Sequence, residues 1–194
     1  MLTTVERKPL LAALTEAARI VEKRTTIPIL ANVLLEANGR LLVRATDQEV
    51  TATFDLACET ATGGAITAGA HKLLQIVKAM NCERVSFEGL ANNWLKVSGG
   101  RSEFRIVGLD AAEFPSVPVA QGSGMSVETA ALAAAVESIA FAISKDETRL
   151  NLSGIALQVE AGTMTLVATD GHRLAKVTLA CDGPDVPLCI VPAR

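Results

Sequence analysis

An internal duplication constrains this chain more than any other feature. The segment VERKPLLAALTEAARIV, beginning at Val5, returns as VETAALAAAVESIAFAI, beginning at Val127. Downstream, LLVRATDQEV is matched by TLVATDGHRL, which sets Asp47 opposite Asp170, and DLACET around Cys58 is matched by TLACDG around Cys181. The offset stays near ~122 residues, far longer than a solenoid repeat and suited to a duplicated domain. Whatever the first copy folds into, the second must begin to fold in the same way.

Each copy opens with a short alternating strand and an amphipathic helix. In the first, Leu10, Leu11, Leu14, Ala18 and Val21 recur at helical spacing, with Pro9 near the helix start. In the second, Leu132, Val136, Ile139, Ala140 and Ile143 do the same. Three strand-like runs follow, at 28–36, 41–46 and 49–57 in copy one and at 151–160, 163–168 and 173–180 in copy two. Asn38-Gly39 and Ala161-Gly162 stand at the turns between the first two runs.

The same order recurs inside the first copy. A strand at 65–70 precedes a helix from His71 to Met80 with Leu73, Leu74 and Val77 apolar. Strands near 83–88, 93–98 and 102–107 complete it, with Asn92-Asn93 in a turn. Residues 1–119 thus predict one complete α+β domain of two βαβββ units, with helices on one face of antiparallel sheets. The stretch SVPVAQGSG at 116–124 reads as a linker, 120–124 lying between the domains. Residues 125–194 hold one further βαβββ unit and a strand, VPLCIVPAR, that aligns with GGAITAGAH. Residues 71–119 have no second counterpart, so the second domain is expected to be about half complete and the chain cut short inside it.

Composition excludes several classes. A formal charge of −3 excludes a grip on nucleic acid by bulk phosphate neutralisation, leaving local charge placement or topology. With no Tyr and a single Trp, Trp94, the core must come from Leu, Val, Ile and Ala. No run of about 18 apolar residues offers a bilayer span, and MLTTVERKPLL lacks the order of a signal peptide. Cys58, Cys82, Cys181 and Cys189 are scattered without a C-x-x-C pair, which fits reduced, mostly packed thiols in a cytoplasmic protein rather than a zinc site.

Asp170-Gly171-His172-Arg173 could be a general base with its orienting carboxylate, or two metal ligands. No nucleophile motif and no third ligand accompany it. Asp47-Gln48 holds the same place in copy one without a histidine, which favours a turn capped by Asp170 and relaxed by Gly171. No catalytic residue, metal or cofactor is assigned. Arg7, Lys8, Arg19, Lys23 and Arg24 make the first helix basic in an acidic protein. Lys23 and Arg24 could serve the helix dipole or contact phosphate. Lys145 and Arg149 could extend such a track, although Asp146 and Glu147 lie between them.

ATDGHRLA (168–175), together with IPIL (27–30), SGGRSEFRIVGLDAAEFP (98–115) and CIVPAR (189–194), resembles in order and spacing the bacterial sliding clamp, the DNA polymerase III beta subunit family. The likeness covers essentially the whole chain. It implies the DNA-clamp fold and a non-enzymatic processivity factor. In that family three-domain subunits pair head to tail into a ring around duplex DNA, so a chain of this extent is not expected to close the ring alone. Implied partners are duplex DNA without sequence preference, DNA polymerase III, the clamp loader, other clamp-binding peptides and further copies of the subunit. A dimer through two half-complete second domains is a further expectation. Arg24 matches a DNA-contacting position, with Lys23, Arg7, Lys145 and Arg149 as candidates beside it. Leu152, Thr169, Gly171, His172, Arg173 and Leu174 match part of the peptide pocket. Lys72, Ile76, Met80, Arg101, Phe104 and Ile106 match the ring interface, with Glu103 where the family often carries a basic residue. The alternative is a peptide-binding adaptor or inhibitor module that does not encircle DNA.

Overall fold

The leading strand of each half-domain crosses into the sheet of the other half, and this exchange organises the first unit. The structure is a computed structural model in which residues 1–21, 25–116, 124–146 and 148–193 are described. Two units separate along the chain, Met1–Pro118 and Val119–Arg194.

In the first unit, β1 (Leu2–Glu6), β2 (Asn32–Ala37), β3 (Arg40–Thr46), β4 (Thr51–Thr62), β5 (Gly64–Gly69), β6 (Arg84–Gly89), β7 (Trp94–Gly99) and β8 (Ser102–Val107) form one antiparallel sheet ordered β5-β2-β3-β4-β1-β6-β7-β8. β1 thus lies beside β6, and β5 beside β2. Helices α1 (Arg7–Ile20) and α2 (Ala70–Ala79) pack against each other, and α1 also lies on β3 and β4. One apolar cluster results, with Leu10, Leu14, Leu35, Leu41, Leu73 and Phe87 among its fully enclosed members.

The stripe on α1 is rotated from the one expected. Leu10, Ala13, Leu14 and Ala17 are buried, whereas Leu11 and Ala18 are half-buried at its margin. The small Ala13 and Ala17 face inward because two bodies, α2 and the sheet, close on this helix from different sides. Residues 28–31 form a 3-10 turn rather than the start of a strand, since Pro28 lacks the N–H a ladder needs. β4 runs on to Thr62, past the expected 57, because β1 pairs with its far end. Asn92 and Asn93 both adopt positive φ, 57° and 58°, in the turn before β7.

The sheet curls until its two ends meet. Among the end residues, Thr67 on β5 is fully buried, and its hydroxyl donates to the Leu109 carbonyl at 2.7 Å. The same oxygen accepts from the Leu109 amide at 2.8 Å and from Asn32 Nδ2 at 3.0 Å. One donor and two acceptor positions are therefore all satisfied, as a buried hydroxyl requires. A satellite cluster of Ile29, Leu30, Leu34 and Phe114 seals this junction.

The second unit repeats the first half of that plan. Helix α3 (Thr129–Ala140) packs on β10 (Thr163–Thr169) and β11 (Leu174–Ala180), which join β9 (Gly154–Glu160) and β12 (Val186–Pro192) in the order β11-β10-β9-β12. The order matches β4-β3-β2-β5, and an isolated bridge between Ser126 and Asp182 stands where β1 pairs with β4. Residues 151–153, expected in strand, turn instead. Ala161 and Gly162, with φ of 48° and 74°, make the expected hairpin turn. On α3 only Ala135 and Ile139 are buried; Val136 and Ala140, expected on the core face, are exposed because no second helix lies against α3 among the described residues. Cys181 is buried, Cys58 and Cys82 are half-buried, and Cys189 is exposed on β12. The expected linker falls mostly at 117–123, outside the described residues.

Candidate functional site

The turn between β10 and β11 is built by hydrogen bonds that the sequence encodes twice. Asp170 Oδ1 accepts from the His172 and Arg173 amides, both at 2.9 Å. Thr169 Oγ1 donates to the Arg173 carbonyl at 2.7 Å and accepts from the Gly171 amide at 3.1 Å. In the first unit, Asp47 Oδ1 accepts from the Glu49 and Val50 amides, and Thr46 Oγ1 engages the Val50 carbonyl and the Gln48 amide. Gly171 has φ +90° and Gln48, its counterpart, φ +78°. The glycine thus relieves a conformation that the other copy bears with a side chain. The geometry of the turn is generic to the fold; its chemistry lies in His172 and Arg173, which replace Glu49 and Val50.

Around this turn the structure gathers Thr169, Gly171, His172, Arg173 and Leu174, the last four exposed, on one end of the sheet. Leu152 is half-buried, its carbonyl accepting from the Ser144 amide at 3.0 Å. Arg149 Nη1 lies near Gly171, 3.9 Å from where a Cβ would stand, and Nε lies 3.4 Å from Asp146 Oδ2. Arg149 therefore belongs spatially to this turn. Phe141, just past α3, lies under the Arg173 guanidinium with Cζ 5.5 Å from the ring centre. Its sequence signal was faint: an aromatic residue out of phase with the apolar positions of α3.

Asp170 titrates well below an ordinary carboxyl, at about 2, because the His172 and Arg173 amides donate to its anionic form and Arg173 adds its charge. A depressed carboxyl contributes its full stabilisation above its unfolded titration range, near pH 4, and loses it progressively as pH falls from there through about 2. In the folded protein the Asp170 side-chain carboxyl carbon resonance is therefore expected to hold its position on acidification to about pH 3 and to move only near 2. A midpoint near 4 in a heteronuclear NMR titration would contradict this coupling.

The other expected sites are less unified. Arg7 is committed to structure: its Nε and Nη2 donate to the Val77 and Lys78 carbonyls, both at 2.9 Å, capping the end of α2. Arg19 pairs with Glu16 at 2.9 Å on the exposed side of α1. Lys145 is exposed, and Lys23 and Arg24 lie outside the described residues, as does Glu147. Of the expected interface residues, Ile76, Met80 and Ile106 are buried in the core of the first unit, so they do not present an apolar surface. They pack with Leu10, Leu14, Leu73 and Phe87 in one cluster, where α1 and α2 meet. Lys72, Arg101 and Phe104 are exposed, Phe104 where β8 leaves the sheet uncovered at its edge. Glu103 bonds within its own sheet, to Lys96 at 3.4 Å and Arg105 at 3.5 Å. Glu103 and then Glu88 raise the Lys96 ammonium above its ordinary range.

Larger concavities lie in the first unit, a groove of about 560 Å³ along Thr4, Glu6, Cys58, Glu59 and Arg84, and one of about 590 Å³ between α1 and β4. Among the described residues no cluster of three His, Cys, Asp or Glu could hold a metal, and no helix is long and apolar enough to cross a membrane.

Comparison with known proteins agrees over both units. Residues 1–118 match the family model for the N-terminal domain of the DNA polymerase III beta subunit, and residues 126–194 the model for its central domain. The beta sliding clamp of Pseudomonas aeruginosa is 36% identical over 196 residues, covering 98% of this chain and 53% of the relative. That of Caulobacter vibrioides is 38% identical over 208 residues, covering 100% and 55%. The crystal structure of the Pseudomonas aeruginosa subunit superposes with a TM-score of 0.90 at 35% identity, over 99% of this chain and 54% of that one. A structure of the clamp from the same organism bound to griselimycin gives 0.89 at 34%, over 99% and 53%. The chain thus spans about half the length of the relatives it matches. With both units matched in order and the fold shared throughout, the chain belongs to the DNA polymerase III beta subunit family, the bacterial beta sliding clamps.

Proposed function

We propose that this chain serves as the N-terminal and central part of a DNA polymerase processivity clamp, a non-enzymatic cytoplasmic protein that holds the replicative polymerase on duplex DNA. The match of both units, in order, to the clamp family carries the reading. DNA contact falls to Lys23 and Arg24, helped by Lys145. Polymerase III, the clamp loader and other clamp-binding proteins would dock short peptides at the turn 169–174, where exposed Leu150 and Leu174 stand beside Arg149, Arg173 and His172. Apolar anchors next to cations suit a peptide of leucine or phenylalanine interleaved with carboxylates. Lys72, Arg101 and Phe104 would contribute to contacts between subunits.

A peptide-binding adaptor that never encircles DNA has one observation in its favour: Arg7, Arg19 and Arg149 are engaged by carbonyls or carboxylates. Fluorescence anisotropy separates the two, using labelled duplexes of unrelated sequence and a labelled hexapeptide alternating leucine with aspartate. The clamp reading expects binding to every duplex, weakened roughly tenfold or more between 50 and 200 mM salt and reduced by K23A/R24A. Peptide binding with no duplex binding at low salt would leave the adaptor.

A further inference from the structure

Arg173 is held from two sides in a way the turn itself does not need. Its Nε donates to Asp170 Oδ2 at 2.9 Å, and its guanidinium lies over the face of Phe141. Phe141 is 60% exposed, so most of its ring is not enclosed in the core. The first-unit turn folds with the same Asp and Thr hydrogen bonds but has Val50 in place of Arg173, and Arg19 falls opposite Phe141 at the ~122-residue offset. The turn therefore folds without the pair, and the second unit carries it in addition.

With Nε committed to Asp170, the Nη donors of Arg173 remain; among the described residues neither has a recorded hydrogen-bond partner. We propose that Phe141 and Asp170 are positioning residues that hold Arg173 pre-ordered beside Leu174, with its Nη groups presented to a carboxylate of the docked peptide. This rests on the reading of the turn as a peptide-docking site. An exposed arginine loses much side-chain freedom when it meets a ligand, and bracing it beforehand removes that loss from the binding step. The ring face and the carboxylate brace different parts of the same guanidinium, one its plane and the other its Nε edge.

Three variants of the full chain separate positioning from bulk. F141Y keeps a ring face, F141L keeps apolar volume without one, and D170N keeps an oxygen to accept from the two amides but loses the carboxylate that holds Nε. The readout is anisotropy of the leucine–aspartate hexapeptide and of its leucine–asparagine counterpart. F141Y is expected to bind the acidic peptide as the parent does, and F141L about two- to five-fold more weakly, the range of an exposed cation–π contact. D170N is expected to weaken it likewise, and neither variant should alter affinity for the asparagine peptide. Unchanged His172 and Gly171 amide shifts in F141L certify that the turn is intact. Equal weakening of both peptides would make Phe141 an apolar wall and overturn the proposal; so would F141L binding as the parent does. Absence of binding by the parent protein overturns the docking reading and this inference with it, an outcome distinct from the other two.

Discussion

Gly108→Ala is expected to destabilise the first unit by about 3 kcal/mol, at the upper end for overpacking a site that cannot relax. A Cβ at this position falls inside the contact radius of the Thr67 carbonyl oxygen and close to the Thr67 carbonyl carbon, 2.9 Å away. Both are backbone atoms, so no side chain can swing aside. The Gly108 amide is also fixed, donating to the Asn93 carbonyl at 2.8 Å, and Leu109 is tied to the Thr67 hydroxyl by two bonds. To admit a methyl group the chain must pull β8 away from β5 and expose the saturated Thr67 hydroxyl. Alanine would restrict the unfolded chain and contribute about 0.4–1 kcal/mol in the other direction, which is too little to offset the clash. Trp94 is the sole tryptophan and lies in this unit, 42% exposed, so its emission follows the unfolding of this unit selectively in urea. Gly124→Ala is the control: nothing lies within 4 Å of its added Cβ, and its effect should stay within about 0.5 kcal/mol. A Gly108→Ala protein that unfolds at the parent's urea midpoint would mean that the two ends of the sheet do not meet.

This closure shows where the sequence stopped being legible. Alternation and turn residues located the strands, and the repeat aligned the strand that became β12 with β5; the structure pairs them with β9 and β2 respectively. Such signals are local, or are copied from one half to the other. The Thr67–Leu109–Asn32 junction joins residues far apart in sequence, and neither Thr67 nor Gly108 belongs to a turn motif. The same limit governed Ile76, Met80 and Ile106. The resemblance suggests them for an interface, but their burial comes from joining one cluster with residues of α1 and the sheet, which no periodicity encodes. At the candidate site the turn was readable because Asp170 and Asp47 recur. The brace on Arg173 was not, since Phe141 meets it only after α3 has packed on β10 and β11.

The repeat also supplies a pair of substitutions whose effects should differ although their positions correspond. Leu14 and Val136 occupy equivalent sites on α1 and α3; Leu14 is 0% exposed and Val136 36%. Leu14→Ala removes a side chain enclosed in the cluster that α1, α2 and the sheet share, and is expected to cost about 2–5 kcal/mol. Val136→Ala removes fewer atoms from a helix face that no second helix covers among the described residues, and should cost under about 1 kcal/mol. Urea unfolding followed at Trp94 measures the first. Hydrogen exchange of amides in β10 measures the second, because Leu166 and Ala168 there belong to the core that α3 covers. Comparable losses would mean that the face of α3 is covered in solution, and a dilution series would then identify the cover. A Val136→Ala effect that fades on dilution would place a second copy of the chain there, whereas one independent of concentration would place a segment of the same chain. The small, concentration-independent loss expected instead would leave α3 a helix stabilised from one side, with Ala135 and Ile139, the counterparts of Ala13 and Ala17, as its buried residues.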